Sequence, residues 1–231
     1  MRTRFPISTL SKLLSYLFPQ RIAHEQGQVG AHIEVVVNNG KLMLNADQSN
    51  YSFGGLHLIF EQLFNQVEVG KYPIKKVLLL GLGAGSVVEL LIDKHALKCD
   101  IIGVELDKVV IDFSKKYFGI EDYNRLKIVQ ADAFEFAEQC TEKFDLIVID
   151  LFIGDTVPVV FETAAFINNL KKLSNKKCFI AFNKMTDKQK HKEEFILLSE
   201  KFDEVFKGWE LRKIYAYGYE NSLLCYNGFI G

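Results

Sequence analysis

The chain has no C-x-x-C pair, no internal repeat, no low-complexity segment and no apolar run of membrane-spanning length. Each absence narrows the field. Its four cysteines, Cys99, Cys140, Cys178 and Cys225, are widely scattered, and three lie in apolar or strand-like segments. That spacing fits reduced, buried thiols and argues against zinc; no metal is expected, and the location expected is cytoplasmic. With 28 basic and 29 acidic residues the net charge is −1, so there is no global electrostatic case for nucleic acid or an anionic membrane. The clusters Lys171, Lys172, Lys176, Lys177 and Lys184 to Lys192 are short and interrupted. They read as solvated helix ends. The lack of a long apolar run argues against a membrane span. Arg2 and Arg4 followed by Leu10, Leu13, Leu14 and Leu17 could mimic a signal peptide. Ser8, Ser11, Lys12 and Ser15 interrupt the stretch and Pro19 stops it. The leucine spacing predicts a short amphipathic helix docked on the body, with a partner or membrane-surface role as the alternative.

What is present is more telling. The 231 residues, 48% hydrophobic and 25% charged, suit one large soluble domain or a domain with a small appendage. Residues 76–85, Lys-Val-Leu-Leu-Leu-Gly-Leu-Gly-Ala-Gly, carry the main signal. An apolar run, Val77 to Leu80, reads as a buried parallel strand. It ends in Gly81, Gly83 and Gly85, and Val87, Val88, Leu90 and Leu91 follow with helical spacing. Strand, glycine turn and helix in that order build a nucleotide crevice. A second apolar run, Ile101 to Val104, ends about twenty residues on in Glu105, where an acid can accept from ribose hydroxyls. A dinucleotide fingerprint wants Gly or Ala at the sixth position; here it is Ser86, so the pattern is G-x-G-x-G. That form suits a nucleoside without a pyrophosphate, such as S-adenosylmethionine. A merely structural tight turn is the competing reading.

Ahead of this block, Asn38-Asn39-Gly40 between two apolar stretches predicts a type I′ hairpin. Gly54-Gly55 then opens a helix-like segment, Leu56 to Phe64, and Pro73 separates it from the first parallel strand. Strands are expected at 76–81, 100–105, 126–130, 144–150 and 177–183. Helices are expected at 86–95, 107–117, 132–139, 160–173 and 186–203. The alternation implies an α/β, Rossmann-like, mostly parallel sheet with helices on both faces. Leu211 to Tyr219 and Ser222 to Tyr226 read as a terminal antiparallel pair, with the turn at Glu220-Asn221. Residues 1–72 are expected to form a small N-terminal cap of helix, hairpin and helix; residues 73–231 are expected to form the nucleoside-binding domain.

Ligands of open α/β sheets bind outside the carboxyl ends of the strands. After the third strand comes Gln130-Ala131-Asp132-Ala133. Asp132 can take the exocyclic amine of adenine while a backbone N–H meets a ring nitrogen; as a helix N-cap it is equally at home. The fourth strand stays apolar up to Asp150, a carboxylate placed at the mouth of the crevice facing the reacting group. The following loop, Leu151 to Pro158, has Gly and Pro joints and could close over a substrate. Tyr215, Tyr217, Tyr219 and Tyr226 alternate along the terminal strands and are read, with Trp209, as packing.

From the Asn38–Gly40 hairpin to the final strands, the chain resembles the spermidine synthase-like (polyamine aminopropyltransferase) branch of the class I S-adenosylmethionine-dependent methyltransferase fold. The resemblance rests on Gly81-Leu82-Gly83-Ala84-Gly85, Val104-Glu105-Leu106-Asp107, Gln130-Ala131-Asp132-Ala133 and Asp145-Leu146-Ile147-Val148-Ile149-Asp150. It implies a seven-stranded sheet with a terminal antiparallel hairpin, and a transferase of polyamine biosynthesis. S-adenosylmethionine or its decarboxylated form would be co-substrate and a small amine the acceptor. By that resemblance Gly81, Gly83, Ala84 and Gly85 hold the amino-acid or aminopropyl end, Glu105 the ribose, and Asp132 with Ala133 the adenine. Asp150 serves the amine, Asn50 to His57 form the substrate-side entrance, and a homodimer is expected. Three departures stand out. Ala84 occupies the place of an amine-gripping aspartate in the glycine loop. Ile153 replaces the second acid of the fourth-strand loop, with Asp155 two residues later. His57 is what remains of a Tyr-Gln or Tyr-His pair. Aminopropyl transfer to a small amine therefore competes with methyl transfer to an unknown small molecule, and with a non-catalytic nucleoside-binding module. A nicotinamide enzyme is the fourth reading.

Overall fold

A computed structural model describes residues 7–28, 30–46, 49–52, 55–216 and 218–230. Two sheets organise them. The first is antiparallel and four-stranded, in the order β1 (Gln20–Gln26), β2 (His32–Asn38), β3 (Lys41–Ala46), β4 (Ser49–Ser52). The β2–β3 hairpin turns on Asn39 and Gly40, both at positive φ (48° and 73°), with Asn38 paired to Lys41. This is the two-residue turn its Asn-Gly dipeptide predicts. β1 and β4 were not foreseen. β1 has no period-two apolar pattern because it is an edge strand with most side chains partly or fully exposed.

The second sheet holds β5 (Lys76–Leu80), β6 (Asp100–Glu105), β7 (Leu126–Gln130), β8 (Phe144–Ile149), β9 (Ser174–Met185), β10 (Glu210–Ala216) and β11 (Tyr219–Asn227). Their order is β10-β11-β9-β8-β5-β6-β7. All neighbouring pairs from β9 to β7 are parallel, and β11 runs antiparallel to both β9 and β10. The expected sheet is therefore present. The helices are α1 (Thr9–Leu14), α2 (Gly55–Gln66), α3 (Ser86–Glu89, extended by a π turn to Lys94), α4 (Lys108–Phe118), α5 (Ala133–Gln139), α6 (Ala164–Leu173) and α7 (Gln189–Val205).

Alternate residues of the strands feed two cores, as period two demands. One face carries Val77, Leu79, Leu146, Val148, Phe179, Ala181, Leu223 and Cys225 and packs on Ile59, Phe60, Leu63 and Phe64 of α2 and on α3. The opposite face carries Leu78, Leu80, Ile147, Ile149, Ile180 and Phe182 against α5, α6 and α7. A third cluster joins Val35, Val37, Leu42 and Leu44 of the small sheet to Val109, Val110 and Phe113 of α4 and to Ala84.

Four expectations need correction. α1 has no buried residue, and Leu10, Leu13 and Leu17 are 63% exposed or more. A six-residue helix cannot wrap onto the body. It is tied instead by the backbone carbonyl and hydroxyl of Ser15, which accept from the N–H groups of Asn39 and Gly40 (3.0 and 2.8 Å). The terminal turn precedes the expected one: Ala216 pairs with Tyr219 and Gly218 stands at φ +85°, so Asn221 sits inside β11. Tyr215 and Tyr219 are exposed rather than packed, because they flank that turn. Tyr226 does pack, on Phe206 at 5.2 Å, and Trp209 meets Phe202 edge-on. Finally, Lys184 is not solvated: it is buried and ion-paired to Glu162 and, at 3.0 Å, to Glu194. Arg2, Arg4, Phe53, Gly54 and Tyr217 lie outside the described residues. The cysteines are free, and burial pushes the thiols of Cys99, Cys178 and Cys225 up to about 11, 12 and 12. They stay protonated and unreactive.

Gly81 is where β5 and β8 meet the crevice. It stands at φ +90°, and a Cβ there would overlap the carbonyl oxygen of Asp150. Gly208 also has a left-handed φ (+79°), but a Cβ there would meet open space. Gly208→Ala should therefore cost only the left-handed strain, about 1–2 kcal/mol, while Gly81→Ala adds backbone displacement on top of it. Thermal unfolding of the two variants checks this; equal losses would show that the Gly81–Asp150 approach is not tight.

Candidate active site

The crevice is built at the carboxyl ends of β5, β6, β7, β8 and β9. The chain leaves β5 through Gly81 and Leu82, whose N–H groups both donate to the Val104 carbonyl at 3.0 Å. Gly83 and Gly85 follow at φ +53° and +88°, and Gly85 caps the start of α3. A Cβ on Gly85 would come within 2.6 Å of the Ile120 side chain. The loop thus needs glycine at these positions for backbone shape. Ala84 is buried and belongs to the third apolar cluster.

Glu105 ends β6 with its side chain only 4% exposed. One carboxylate oxygen accepts from the Gly83 N–H at 3.0 Å and the other from the Asp107 N–H at 3.1 Å. Burial pushes its carboxyl above the ordinary value, and the backbone N–H groups pull against that shift. Asp107 is itself buried. It caps α4 through the Val109 N–H (2.8 Å) and accepts the Gln28 N–H at 2.6 Å. Gln28 in turn accepts from the Lys108 N–H (3.0 Å) and the Gln130 side chain (3.3 Å). The loop between β1 and β2 is thereby fastened across the ends of β6 and β7. The sequence does not reveal that link, since nothing local marks residues 80 positions apart as partners.

Asp132 serves as the N-cap of α5, accepting from the N–H groups of Phe134 (2.7 Å) and Glu135 (3.2 Å). Both bonds go to one oxygen, Oδ1. Ala133 is buried beneath it. Asp145, at the other end of β8, accepts from the Lys75 and Lys76 N–H groups and from Asn175, and so ties strand starts together.

Asp150 follows β8, half-buried. Its Oδ1 accepts from Asn183 Nδ2 at 3.0 Å. Burial pushes its carboxyl up to about 6; the Asn183 bond opposes the shift and the nearby Glu105 charge adds to it. Asn183 escaped the sequence reading. The available signal was a polar residue ending the apolar run Cys178–Phe182 at a strand's carboxyl end. Asp155 is held elsewhere. It pairs with Lys188 at the start of α7, which keeps its carboxyl below the ordinary range. His57 lies on α2 among Glu89, Glu61, Lys94 and Lys41, and burial lowers its pKa. Among the described residues, no contact joins His57 or Asp155 to Asp150. Ile153 is exposed and bridges to Thr156 in a tight turn.

The crevice therefore brings together a glycine loop, a buried carboxylate at the second strand, an N-capping acid at the third and a raised carboxyl at the fourth. A family model described as the spermine/spermidine synthase domain matches residues 59–224. The chain belongs to this family. The matched region runs from α2 into β11 and contains every element of the crevice except the Gln28 loop. Among curated proteins, the polyamine aminopropyltransferase of Sulfurisphaera tokodaii is 36% identical over 107 residues, 43% of this chain and 35% of that one. The matches to the first curated relatives span 35%, 43% and 46% of their lengths. A probable spermidine synthase from Corynebacterium glutamicum superposes with a TM-score of 0.71 at 18% identity, covering 89% of this chain and 79% of that one. Human methyltransferase-like protein 13, in complex with SAH, gives 0.57 at 20% identity, covering 74% and 82%. At such identities these likenesses concern the fold, which hosts more than one transfer chemistry.

The carboxyl of Asp150 has an ordinary value of 3.8 and sits at about 6 in the fold. The native state thus binds this proton more tightly than the unfolded chain. Ionising Asp150 costs stability as pH rises from about 4 through 6, and the full cost persists above. Asp150→Asn removes the charge and keeps an oxygen for Asn183. Its melting temperature should exceed that of the parent at pH 8, and the gain should vanish below about pH 4. A gain that is the same at both pH values would mean the carboxyl is not raised.

Proposed function

We propose that this protein is an aminopropyltransferase that moves the aminopropyl group of decarboxylated S-adenosylmethionine onto a small primary amine. The observation that carries the reading is Asp150 at the end of β8, held by Asn183 within a spermine/spermidine synthase domain whose glycine loop and Glu105 are intact. In this reading residues 73–231 bind the nucleoside and residues 1–72 cap the substrate side. The setting is cytoplasmic, and the working form is a homodimer. No helix among the described residues is long and apolar enough to cross a membrane.

Gly81, Gly83, Ala84 and Gly85 accommodate the aminopropyl end against bare backbone. Glu105 accepts from the ribose hydroxyls with its remaining lone pairs. Asp132 keeps Oδ2 for the adenine amine while Oδ1 caps α5, with the backbone beside Ala133 meeting the ring. The sulfonium, when bound, supplies a good leaving group and an adjacent carbon open to displacement. The residues around it mainly align two molecules, which can lower the barrier by about 7–11 kcal/mol. Free alkyl amines hold their proton near the lysine value of about 10.4, so the nucleophile must shed one. Asp150, raised toward neutrality and oriented by Asn183, receives that proton as the nitrogen–carbon bond forms and the carbon–sulfur bond breaks. Asp155, released from Lys188, and His57 are assigned to the outer substrate path.

Calorimetric titration with S-adenosylmethionine, its decarboxylated form and methylthioadenosine tests the reading. The decarboxylated form should bind more tightly than S-adenosylmethionine; the reverse order would move the protein to methyl transfer. With the preferred donor, Asp150→Asn should lower turnover by about 10²–10⁴-fold while leaving donor binding within about twofold. The parent's rate should rise through pH 6 in step with Asp150 ionisation. Unchanged turnover would remove Asp150 from proton transfer.

A further inference from the structure

Large apolar side chains crowd the surface from Leu10 to Phe18: Leu10, Leu13, Tyr16, Leu17 and Phe18 are each at least 56% exposed. Soluble surfaces scatter such side chains singly, and a contiguous set marks a contact face. The segment is held the wrong way round for burial. Its polar side meets the body: the Ser15 hydroxyl and carbonyl accept from the Gly40 and Asn39 N–H groups, and the Tyr16 hydroxyl lies against Gly40. Ile7, just ahead of α1, packs on the third apolar cluster. Leu10, Leu13 and Leu17 share the i, i+3, i+7 spacing of one helix side. The N–H groups of Leu17 and Phe18 donate to the Leu14 carbonyl (2.9 and 3.1 Å) and carry the winding past α1. The result is a ridge tied at both ends with its apolar side outward.

The charge around this ridge has one sign. Arg2, Arg4, Lys12 and Arg21 all precede Glu25, the first acidic residue of the sequence. Lys12 and Arg21 are exposed, and so is Lys41 beside the Gly40 turn. Gln20 pairs with Val37 near that turn, whereas Glu34 pairs with His24, about 13 Å farther along the strand. The net charge of −1 over the whole chain conceals this local excess. An apolar ridge flanked by cations is complementary to the surface of an anionic bilayer. A second copy meeting the same face symmetrically would set cation against cation. A protein groove would have to close around a helix whose inner side the hairpin already occupies, while a flat lipid surface needs only the outer side.

We propose that α1 and the turn after it form a membrane-surface contact. Leu10, Leu13, Leu17 and Phe18 seat at the headgroup–acyl boundary of an anionic lipid bilayer, while Lys12, Arg21 and Lys41 meet its headgroups. The long stems of these cations let the charged ends stay in the polar layer. Neither the short apolar ridge nor the few cations anchor alone, so the attachment is reversible and needs both. The inference stands apart from the transfer reading and uses none of its residues.

The test sediments the full chain with vesicles of phosphatidylcholine alone and of phosphatidylcholine mixed with phosphatidylglycerol. Binding to the mixed vesicles should exceed binding to the neutral ones at least about tenfold. Salt raised to about 1 M cuts the screening length to about 3 Å and should abolish the difference. Lys12→Ala should weaken binding to the mixed vesicles about fivefold, the scale of one cation near an anionic surface. Leu13→Ser combined with Leu17→Ser should weaken it at least about tenfold. That double variant should keep the parent's melting temperature, since both leucines are exposed. Absence of binding to either vesicle, equal binding to both, or a folded double variant that binds as the parent does overturns the proposal. A parent that ignores vesicles but whose sedimentation velocity falls in the double variant overturns it in favour of a second copy on this face.

Discussion

Two backbone N–H groups, from Gly83 and Asp107, converge on the buried carboxylate of Glu105, and the crevice is assembled around that point. A carboxylate taken out of water is stable only when its lone pairs find donors. Here the donors come from the glycine loop and from the entry to α4. Glu105 therefore holds the glycine loop and the entry to α4 in fixed relation. Asp107 extends the chain of bonds to Gln28 and so to the small antiparallel sheet. One acidic residue at the end of β6 thus sets the positions of the glycine loop and the α4 cap, with the cap reaching on to the front sheet.

The same logic of backbone closeness operates between β5 and β8. Gly81 lets the Asp150 carbonyl approach to a distance that no side chain would allow, which brings Asp150 beside the glycine loop. Asp150 then lies near the Glu105 charge in a desolvated place, and both effects push its proton affinity upward. The raised carboxyl is a consequence of how tightly the strands close, with Asn183 restraining the shift. The opposite face of the sheet carries its own buried charges, Lys184 with Glu162 and Glu194. These tie β9 to α7 and to the segment before α6, on the side away from the crevice.

Much of this was legible in the chain. Runs such as Val77–Leu80 and Leu146–Ile149 are apolar on both faces because parallel strands are covered twice, and such runs announce themselves. The Asn39-Gly40 turn and the G-x-G-x-G loop carry local conformational demands that only a few residues meet. Glu105, Asp132 and Asp150 stand at or just beyond the ends of β6, β7 and β8, a placement that the apolar runs before them mark in the sequence. β1 and α1 were misjudged for the converse reason. β1 lacks an apolar period, and the leucines of α1 have one that the fold leaves exposed. The terminal turn was displaced because Asn221 looks like a turn residue but is held inside β11 by pairing on both sides.

By itself the sequence determined the element order, the parallel sheet and the glycine turn that follows β5, since these follow from short-range patterns of burial and backbone freedom. Only the tertiary structure decided which polar residues share a face. Asn183 reaches Asp150, Asn221 lies diagonally beyond it, Gln28 spans to Asp107, and Asp155 turns away to Lys188. Those relations depend on strand order and register, which join residues tens of positions apart, and no local pattern encodes them.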